Sequence, residues 1–407
     1  MRRVPIGVRT QLLTTRHAPA VVPGFGDGAG TTRGVVVGTC TLGGTYRFDP
    51  FDAYAEGLVT NPNLLVAGQV GRGKSALMKC LLARSVRAGR RCVVVDPKGE
   101  YRPLAEALGA VTIALEPGGD VVLNPLAGER DDPGRIALLV ALVASGLERR
   151  PFPEERAALE VALRGADEST GEATLPRVLD HLFAPRGAAA DALGTTPSAL
   201  AREGRAAALE LRRLVAGELR GMFDGPTSPG VHLDGDVVVL DVSGALRAGA
   251  MPVVLSCAAA ALEASRATHV GRTIFVLDEA WSILANEGAA RWLQSSFKLA
   301  RSRGVAHVLV LHRLSDLAAA GPDGSVTSSI ASGLLRDVET CVLFAQPSAE
   351  ADALGALLGL TDAERDVVGR LPRGVALWRV GAARSVVRHE LEPHEHALVD
   401  TDAAMRG

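Results

Sequence analysis

Lysine is almost missing from this chain of 407 residues. It occurs at Lys74, Lys79, Lys98 and Lys298, and every other basic side chain apart from histidine is arginine. Where arginine is the default cation, a retained lysine points to a need for a compact ammonium; Lys79 reads equally well as chance placement. An excess of either charge is missing too. The 44 Lys and Arg against 46 Asp and Glu leave a formal charge of −2. That excludes the global basic field of an obvious nucleic-acid binder and leaves only local DNA contact. The cysteines Cys40, Cys80, Cys92, Cys257 and Cys341 are odd in number and form no CxxC pair. A disulfide framework or thiolate metal site is therefore not expected, and the pattern suits reduced thiols in a cytoplasmic protein. Long apolar runs are absent: Ile136–Ser145 and Pro252–Leu262 are too short to span a bilayer. The opening MRRVPIGVRTQLLTTR has no apolar stretch of the signal-peptide kind.

What is present is an apolar content of 47%, enough for a sizeable core, in a length that suits one large domain with an insertion, or two domains. Residues 1–34 are rich in Gly, Pro, Thr and Arg and read as an arm. RGVVVGTCTLGGTYRFDP then reads as a hairpin broken at Gly-Gly. The runs NLLVAG, CVVVD and AVTIAL alternate with helical text, which predicts an α/β fold with a mostly parallel sheet over 35–128. From 129 to 222 strand signals vanish and helical ones dominate, predicting an all-helical insertion subdomain. Strands resume at DVVVLDVSG, TIFVLDE, HVLVLH and CVLFA. The second core part, 223–407, ends in a hairpin of VALWRVG and RSVVRHEL.

GQVGRGKS, Gly68–Ser75, matches G-x-x-x-x-G-K-S between a strand and a helix. The glycines let backbone N–H groups turn inward, and the helix N-terminus adds its positive end. Gly68, Gln69, Val70, Gly71, Arg72, Gly73, Lys74, Ser75 and Ala76 are thus the expected nucleotide-binding residues. Lys74 reaches the β- and γ-phosphates, and the Ser75 oxygen is offered to Mg2+. The expected cofactors are ATP and Mg2+. IFVLDEAW, Ile274–Trp281, supplies the opposite half. A strand ending in two carboxylates delivers them to the edge of a parallel sheet where ligands bind. Asp278 is expected in the metal shell and Glu279 at the attacking water. A bare acidic helix start explains the same text less fully once the phosphate loop is present.

In VVVDPKGEY, Asp96 has the spacing of a ribose-binding acid, but the loop is not G-x-G-x-x-G, so the dinucleotide reading fails. Asp96, Lys98 and Glu100 instead read as neighbours of the phosphate end. DPKGEY, LNPL (Leu123–Leu126), VLDEAW and FKLARSRGVAHVLVLHRLSDL together resemble the conjugation and type IV secretion ATPases of the HerA/FtsK group of P-loop motors. The resemblance runs from about Gly34 to the ending EHALVDTDAAM. It implies a RecA-like P-loop NTPase core with a helical subdomain, assembled as a homo-hexamer with shared nucleotide sites. It sets Lys98 and Glu100 close to the γ-phosphate, coupling its loss to movement. His312 stands where related motors place a γ-phosphate-sensing glutamine; a neutral imidazole still donates one hydrogen bond. The family's basic positions fall on Arg301 and Arg303, with Arg303 the expected cation acting on a neighbouring subunit, and Arg313 and Arg336 as weaker candidates.

Compared with secretion ATPases carrying a large N-terminal domain, only about sixty residues precede the phosphate loop here, so a separate protein is expected to supply that part or the docking differs. The resemblance implies an ATPase energising conjugation or secretion, peripheral at the inner face of the cell membrane through membrane-embedded components. A cytosolic DNA translocase is the alternative, and a nucleotide-gated scaffold a third; a scaffold has no need of Glu279. Lys74→Ala is expected to abolish nucleotide affinity in a fluorescent-nucleotide titration, and tight binding by that variant contradicts the loop.

Overall fold

A computed structural model describes residues 30–169, 171–248, 251–265, 271–284, 286–312 and 326–399. Most of the arm expected over 1–34, Arg313, and the end of the EHALVDTDAAM stretch lie outside the described residues.

β1 (Val35–Cys40) and β2 (Thr45–Phe48) pair as the expected hairpin, followed by α1 (Pro50–Ala55). β3 (Leu64–Ala67) leads through the phosphate loop into α2 (Lys74–Arg87), then β4 (Arg91–Asp96), α3 (Arg102–Ala107) and β5 (Thr112–Ala114). Six helices separate β5 from β6 (Val237–Asp241): α4 (Pro133–Leu147), α5 (Pro153–Glu168), α6 (Leu175–Phe183), α7 (Gly187–Ala192), α8 (Pro197–Glu203) and α9 (Arg205–Ala216). Proline in the first turn starts α4, α5, α6 and α8, where its missing N–H costs nothing. After β6 come α10 (Met251–Ala264), β7 (Thr273–Leu277), α11 (Trp281–Leu284), α12 (Glu287–Arg303) and β8 (Val305–Leu311). The chain closes with α13 (Val326–Arg336), β9 (Thr340–Leu343), α14 (Ser348–Leu358), α15 (Asp362–Arg370), β10 (Val375–Val380), β11 (Ala383–His389) and α16 (His396–Val399).

All eleven strands join one sheet in the order β2-β1-β11-β10-β9-β3-β8-β7-β4-β6-β5. The stretch from β9 to β5 is parallel throughout, and the four strands beyond β9 are antiparallel. The near-continuous apolar runs of β3, β7 and β8 follow from burial on both faces. Leu64 and Val66 of β3 face one core with Leu77, Met78 and Leu81 of α2; Leu65 and Ala67 face the other with α4, α10 and α12. The helical stretch is therefore seated on the sheet's own core. α4 packs along α12, where Gly288 matters: a Cβ there would stand 2.4 Å from the Ala141 carbonyl oxygen.

The antiparallel end is tied to the phosphate-loop helix by Arg84 of α2. Its guanidinium pairs with buried Glu395 and donates to the Val36 oxygen at 2.6 Å and the Glu390 oxygen at 2.7 Å. Trp378 of β10 is 1% exposed, with the Tyr46 and Phe48 rings of β2 at 5.2 and 5.0 Å. Trp378→Ala is expected to cost about 3–5 kcal/mol in denaturant unfolding, as deletion of a buried indole does; a loss below about 1 kcal/mol contradicts this packing.

Candidate functional site at the carboxyl edge of the sheet

The strand order brings the distant segments together. β8 lies between β3 and β7, with Ala67 opposite Leu311 and Leu277 opposite Leu309; on the far side of β7, Leu277 stands opposite Val95. The chain then leaves β3 at Gly68, β8 at His312, β7 at Asp278 and β4 at Asp96 along a single edge. The backbone closes this edge: Gly68 N–H donates to the Leu311 oxygen at 3.3 Å, and Ala280 N–H to the Val310 oxygen at 3.2 Å.

The loop Gly68–Ser75 makes the sharp turn its glycines allow. Gly71 and Gly73 have φ of 76° and 111°, and a Cβ on Gly68 would stand 2.5 Å from that of Phe344. Gln69 N–H donates to the Ala345 oxygen at 3.0 Å, and Arg72 reaches back to the Gln69 side chain. Val70 and Gly71 are exposed at the tip, while Ser75 and Ala76 are half-buried at the start of α2. Lys74 is buried, and its ammonium donates to the carbonyl oxygens of Gly68 and of Gln69, the latter at 3.1 Å. Those oxygens are weak partners for a cation. Burial pushes the Lys74 pKa down to about 8, against the pull of Asp278, Glu279 and Glu100.

Across the edge, Asp278 is 3% exposed and Glu279 half-buried. Burial pushes the Asp278 carboxyl up to about 6, helped by Glu279 and opposed by Lys98. Burial also opposes charge on Glu279, but hydrogen bonds from His312 and Lys98 overcome it and bring its pKa down to about 2. Glu279 has φ of 53°, a left-handed conformation rare outside glycine and asparagine that persists only when neighbours enforce it. Its Oε1 pairs with the Lys98 ammonium and lies 2.7 Å from His312 Nε2, while its Oε2 accepts from the Trp281 indole N–H.

Lys98 and Glu100 reach this place because Asp96 builds the turn. Fully buried, the Asp96 carboxylate accepts the backbone N–H groups of Lys98 at 3.1 Å and Tyr101 at 2.8 Å. Its part is to shape the turn that presents Lys98. Glu100 is half-buried and close enough to bear on the charges of both Lys74 and Lys79. Two side chains that carry no assigned role along the chain lie beneath the site. Lys79 is 0% exposed, its ammonium without a hydrogen-bond partner and 5.8 Å from the centre of the Tyr101 ring. Burial lowers its pKa, and the scarcity of lysine was the available signal. Burial, with Asp278 and Asp96 nearby, holds the Tyr101 hydroxyl well above its usual value.

The residues fit a magnesium ion. Ser75 and Asp278 offer hard oxygen ligands, the kind Mg2+ takes, and Asp278 has no ion-pair partner within 4.0 Å among the described residues. Unpaired, so deeply buried a carboxylate is costly to ionise, and a divalent ion there would offset the cost that a proton otherwise relieves.

The arginines lie elsewhere. Arg303 ends α12, just before β8 begins, so the length of β8 separates it from His312. It pairs with Asp132 at 3.2 Å and Glu263 at 3.6 Å. Arg301 is exposed at the same end, and Arg336, also exposed, precedes the start of β9. Within this chain none of the three adjoins its phosphate loop. A groove of about 770 Å3 between α4 and α12, floored by Ile136, Val140 and Trp292, contains none of the site residues; the site is an open sheet edge.

Comparison with known proteins agrees with this geometry. Residues 56–181 match the family described as helicase HerA, central domain. The structure is similar to that of VirB4 of Thermoanaerobacter pseudethanolicus, with a TM-score of 0.70 and 26% identity over 92% of this chain and 100% of that one. It is also similar to the plasmid coupling protein TrwB in complex with the GTP analogue GDPNP, with a TM-score of 0.57 and 18% identity over 81% of this chain and 86% of that one. An unbound form of TrwB gives a TM-score of 0.58 at 16% identity, covering 81% of this chain and 84% of that one. No curated protein sequence matches the chain. The resemblance read in DPKGEY, LNPL and VLDEAW, and the α/β P-loop NTPase fold it implied, are borne out.

Burial of Asp278 has a consequence for stability. Its carboxyl titrates near 6 when folded and near the ordinary aspartate value of 3.8 when unfolded, so the native state binds the extra proton between these values. Stability of the metal-free protein therefore falls as pH rises from about 4 to 6, by on the order of 3 kcal/mol. Asp278→Asn is expected to raise the melting temperature of the nucleotide-free, metal-free protein at pH 7.5, with the gain vanishing by pH 4. Equal melting of the two proteins at pH 7.5 contradicts the burial cost.

Proposed function

We propose that this chain, which carries a HerA-type central domain and has the P-loop fold of VirB4 and TrwB, is a Mg-ATP-hydrolysing motor that energises conjugative DNA transfer or type IV secretion. The observation that carries the reading is the convergence of Lys74 and Ser75 with Asp278 and Glu279 on one sheet edge, in a chain similar to VirB4 over the whole of that structure. In this reading Gly68–Ala76 wrap the phosphates with backbone N–H groups, and Lys74 exchanges its loop carbonyls for phosphate oxygens. Ser75 and Asp278 would hold Mg2+, which neutralises charge on the phosphates when bound. Glu279 orients the attacking water and accepts its proton, and Lys98 and His312, both in contact with Glu279, would meet the γ-phosphate.

The working form is a homo-hexamer, and Arg303 acts in trans. Its place at the far end of β8 removes it from this chain's own nucleotide, which agrees with service to a neighbour's. To serve, it must leave Asp132 and Glu263, so the trans contact is coupled to the start of the helical stretch. No helix among the described residues is long and apolar enough to cross a membrane, and membrane-embedded components supply the attachment. The match of residues 56–181 to the HerA central domain favours a second reading, a translocase acting on duplex DNA.

ATP turnover by the purified chain, with and without duplex or single-stranded DNA, separates the two. Weak stimulation by DNA agrees with a secretion motor, and strong stimulation without any secretion component favours the translocase. Glu279→Gln is expected to bind ATP normally and lower kcat by at least about 100-fold, the usual worth of a positioned base. Wild-type turnover by that variant removes the carboxylate from the mechanism.

A further inference from the structure

Glu279, the residue on which hydrolysis depends in the reading above, is not free in this structure. Its Oε1 faces the Lys98 ammonium and His312 Nε2 together, and with a hydrogen on Nε2 both acceptor directions of that oxygen are taken. Its Oε2 carries the Trp281 N–H, two residues further along the same turn. A base in this state has only one or two of its four acceptor directions left for a water proton. The backbone at Glu279 is held at φ of 53°, a conformation that needs such over-determination to persist.

We propose that this is a latch with two parts: Lys98 holds Glu279 out of use until a γ-phosphate draws the ammonium away, and Trp281 anchors the carboxylate throughout. The inference rests on the nucleotide reading and deepens it by naming what discriminates triphosphate from diphosphate.

The two contacts differ in how easily they release. Lys98 stands on a solvent-facing turn, its side chain 35% exposed on a flexible stem, and it is the more mobile partner. A terminal phosphate carries more negative charge than one carboxylate and attracts the ammonium more strongly. His312 cannot settle the contest, because its Nε2 lies 2.7 Å from both the Lys98 ammonium and Glu279 Oε1. With a hydrogen on Nε2 it donates to Glu279; without one it accepts from Lys98, and the carboxylate loses that bond. The Trp281 indole is neutral, and the backbone of the Asp278–Ser282 turn places it. Ala280 N–H bonds the Val310 oxygen at 3.2 Å, and Ser282 N–H bonds the Glu279 oxygen at 3.0 Å. A phosphate therefore has little hold on it. When Lys98 leaves, Oε1 opens while Oε2 stays in place, so the base is released already oriented.

Trp281 is also the reporter, because its N–H touches the carboxylate whose counter-charge changes. The chain's other tryptophans, Trp292 and Trp378, are 4% and 1% exposed in the core. The test titrates the full-length protein, in Mg2+, with ADP and with a non-hydrolysable ATP analogue, following tryptophan emission while equilibrium dialysis measures binding separately. The expected result is that both nucleotides bind but only the analogue changes the emission, and that Trp281→Phe abolishes the change. Lys98→Ala is expected to emit, without nucleotide, as the analogue-bound wild type does. It should also lose at least about fivefold of the preference for analogue over ADP, and Lys98→Arg should restore part of it. Trp281→Phe should lower kcat about tenfold with KM unchanged. Equal emission changes with ADP and analogue, or a wild-type response from Lys98→Ala, overturn the latch while the nucleotide site stands. Failure of both nucleotides to bind in dialysis overturns the site itself and the latch with it.

Discussion

Two carboxylates stand side by side at the carboxyl edge of the sheet, and the rest of the site is arranged around that repulsion. Asp278 is nearly inaccessible, and Glu279 is bent into a left-handed backbone beside it. Neither charge is tolerable there without cations. Lys98 supplies one to Glu279, Asp278 has no ion-pair partner among the described residues, and the Lys74 ammonium rests on two carbonyl oxygens. In an arginine-rich chain, the lysines at these places make sense physically. A point charge on a flexible stem can change partners, whereas a planar guanidinium is suited to holding one.

The sheet makes this economy of charge feasible. Because β8 runs between β3 and β7, the glycine-rich loop and the acidic pair leave the same edge one strand apart. His312 fills the intervening position and contacts both Lys98 and Glu279. The four antiparallel strands at the other end contribute no side chain to the site. They steady it instead: Arg84, on the same helix that begins at Lys74, is bonded to β1 and to Glu395 near the C-terminus. The helical stretch between β5 and β6 is seated on α12, whose far end carries Arg303, already joined to Asp132 at the start of α4.

Much of this was legible along the chain, because the signals were local. Gly68–Ser75 carries its own turn chemistry, and the apolar runs before Asp96, Asp278 and His312 mark strands by composition alone. Proline and small polar residues mark the helix starts between 129 and 222. Partnership was not legible. Asp96 reads as a neighbour of the phosphate end, and its carboxylate builds the turn; Lys79 reads equally well as chance placement and is fully buried near Tyr101; Trp281 has no role along the chain and holds Glu279 in the fold.

By itself the amino-acid order determined where a glycine-rich loop carries lysine and serine, which strands end in acid, and where strands give way to helices, since each depends on backbone preference and apolar period within a few residues. Only tertiary structure decided that Lys98 meets Glu279, that His312 stands between them and the loop, and that Arg303 is placed at the opposite end of β8. Those facts depend on the order of strands across the sheet. That order is set by long-range packing on both faces, which no local stretch of sequence encodes.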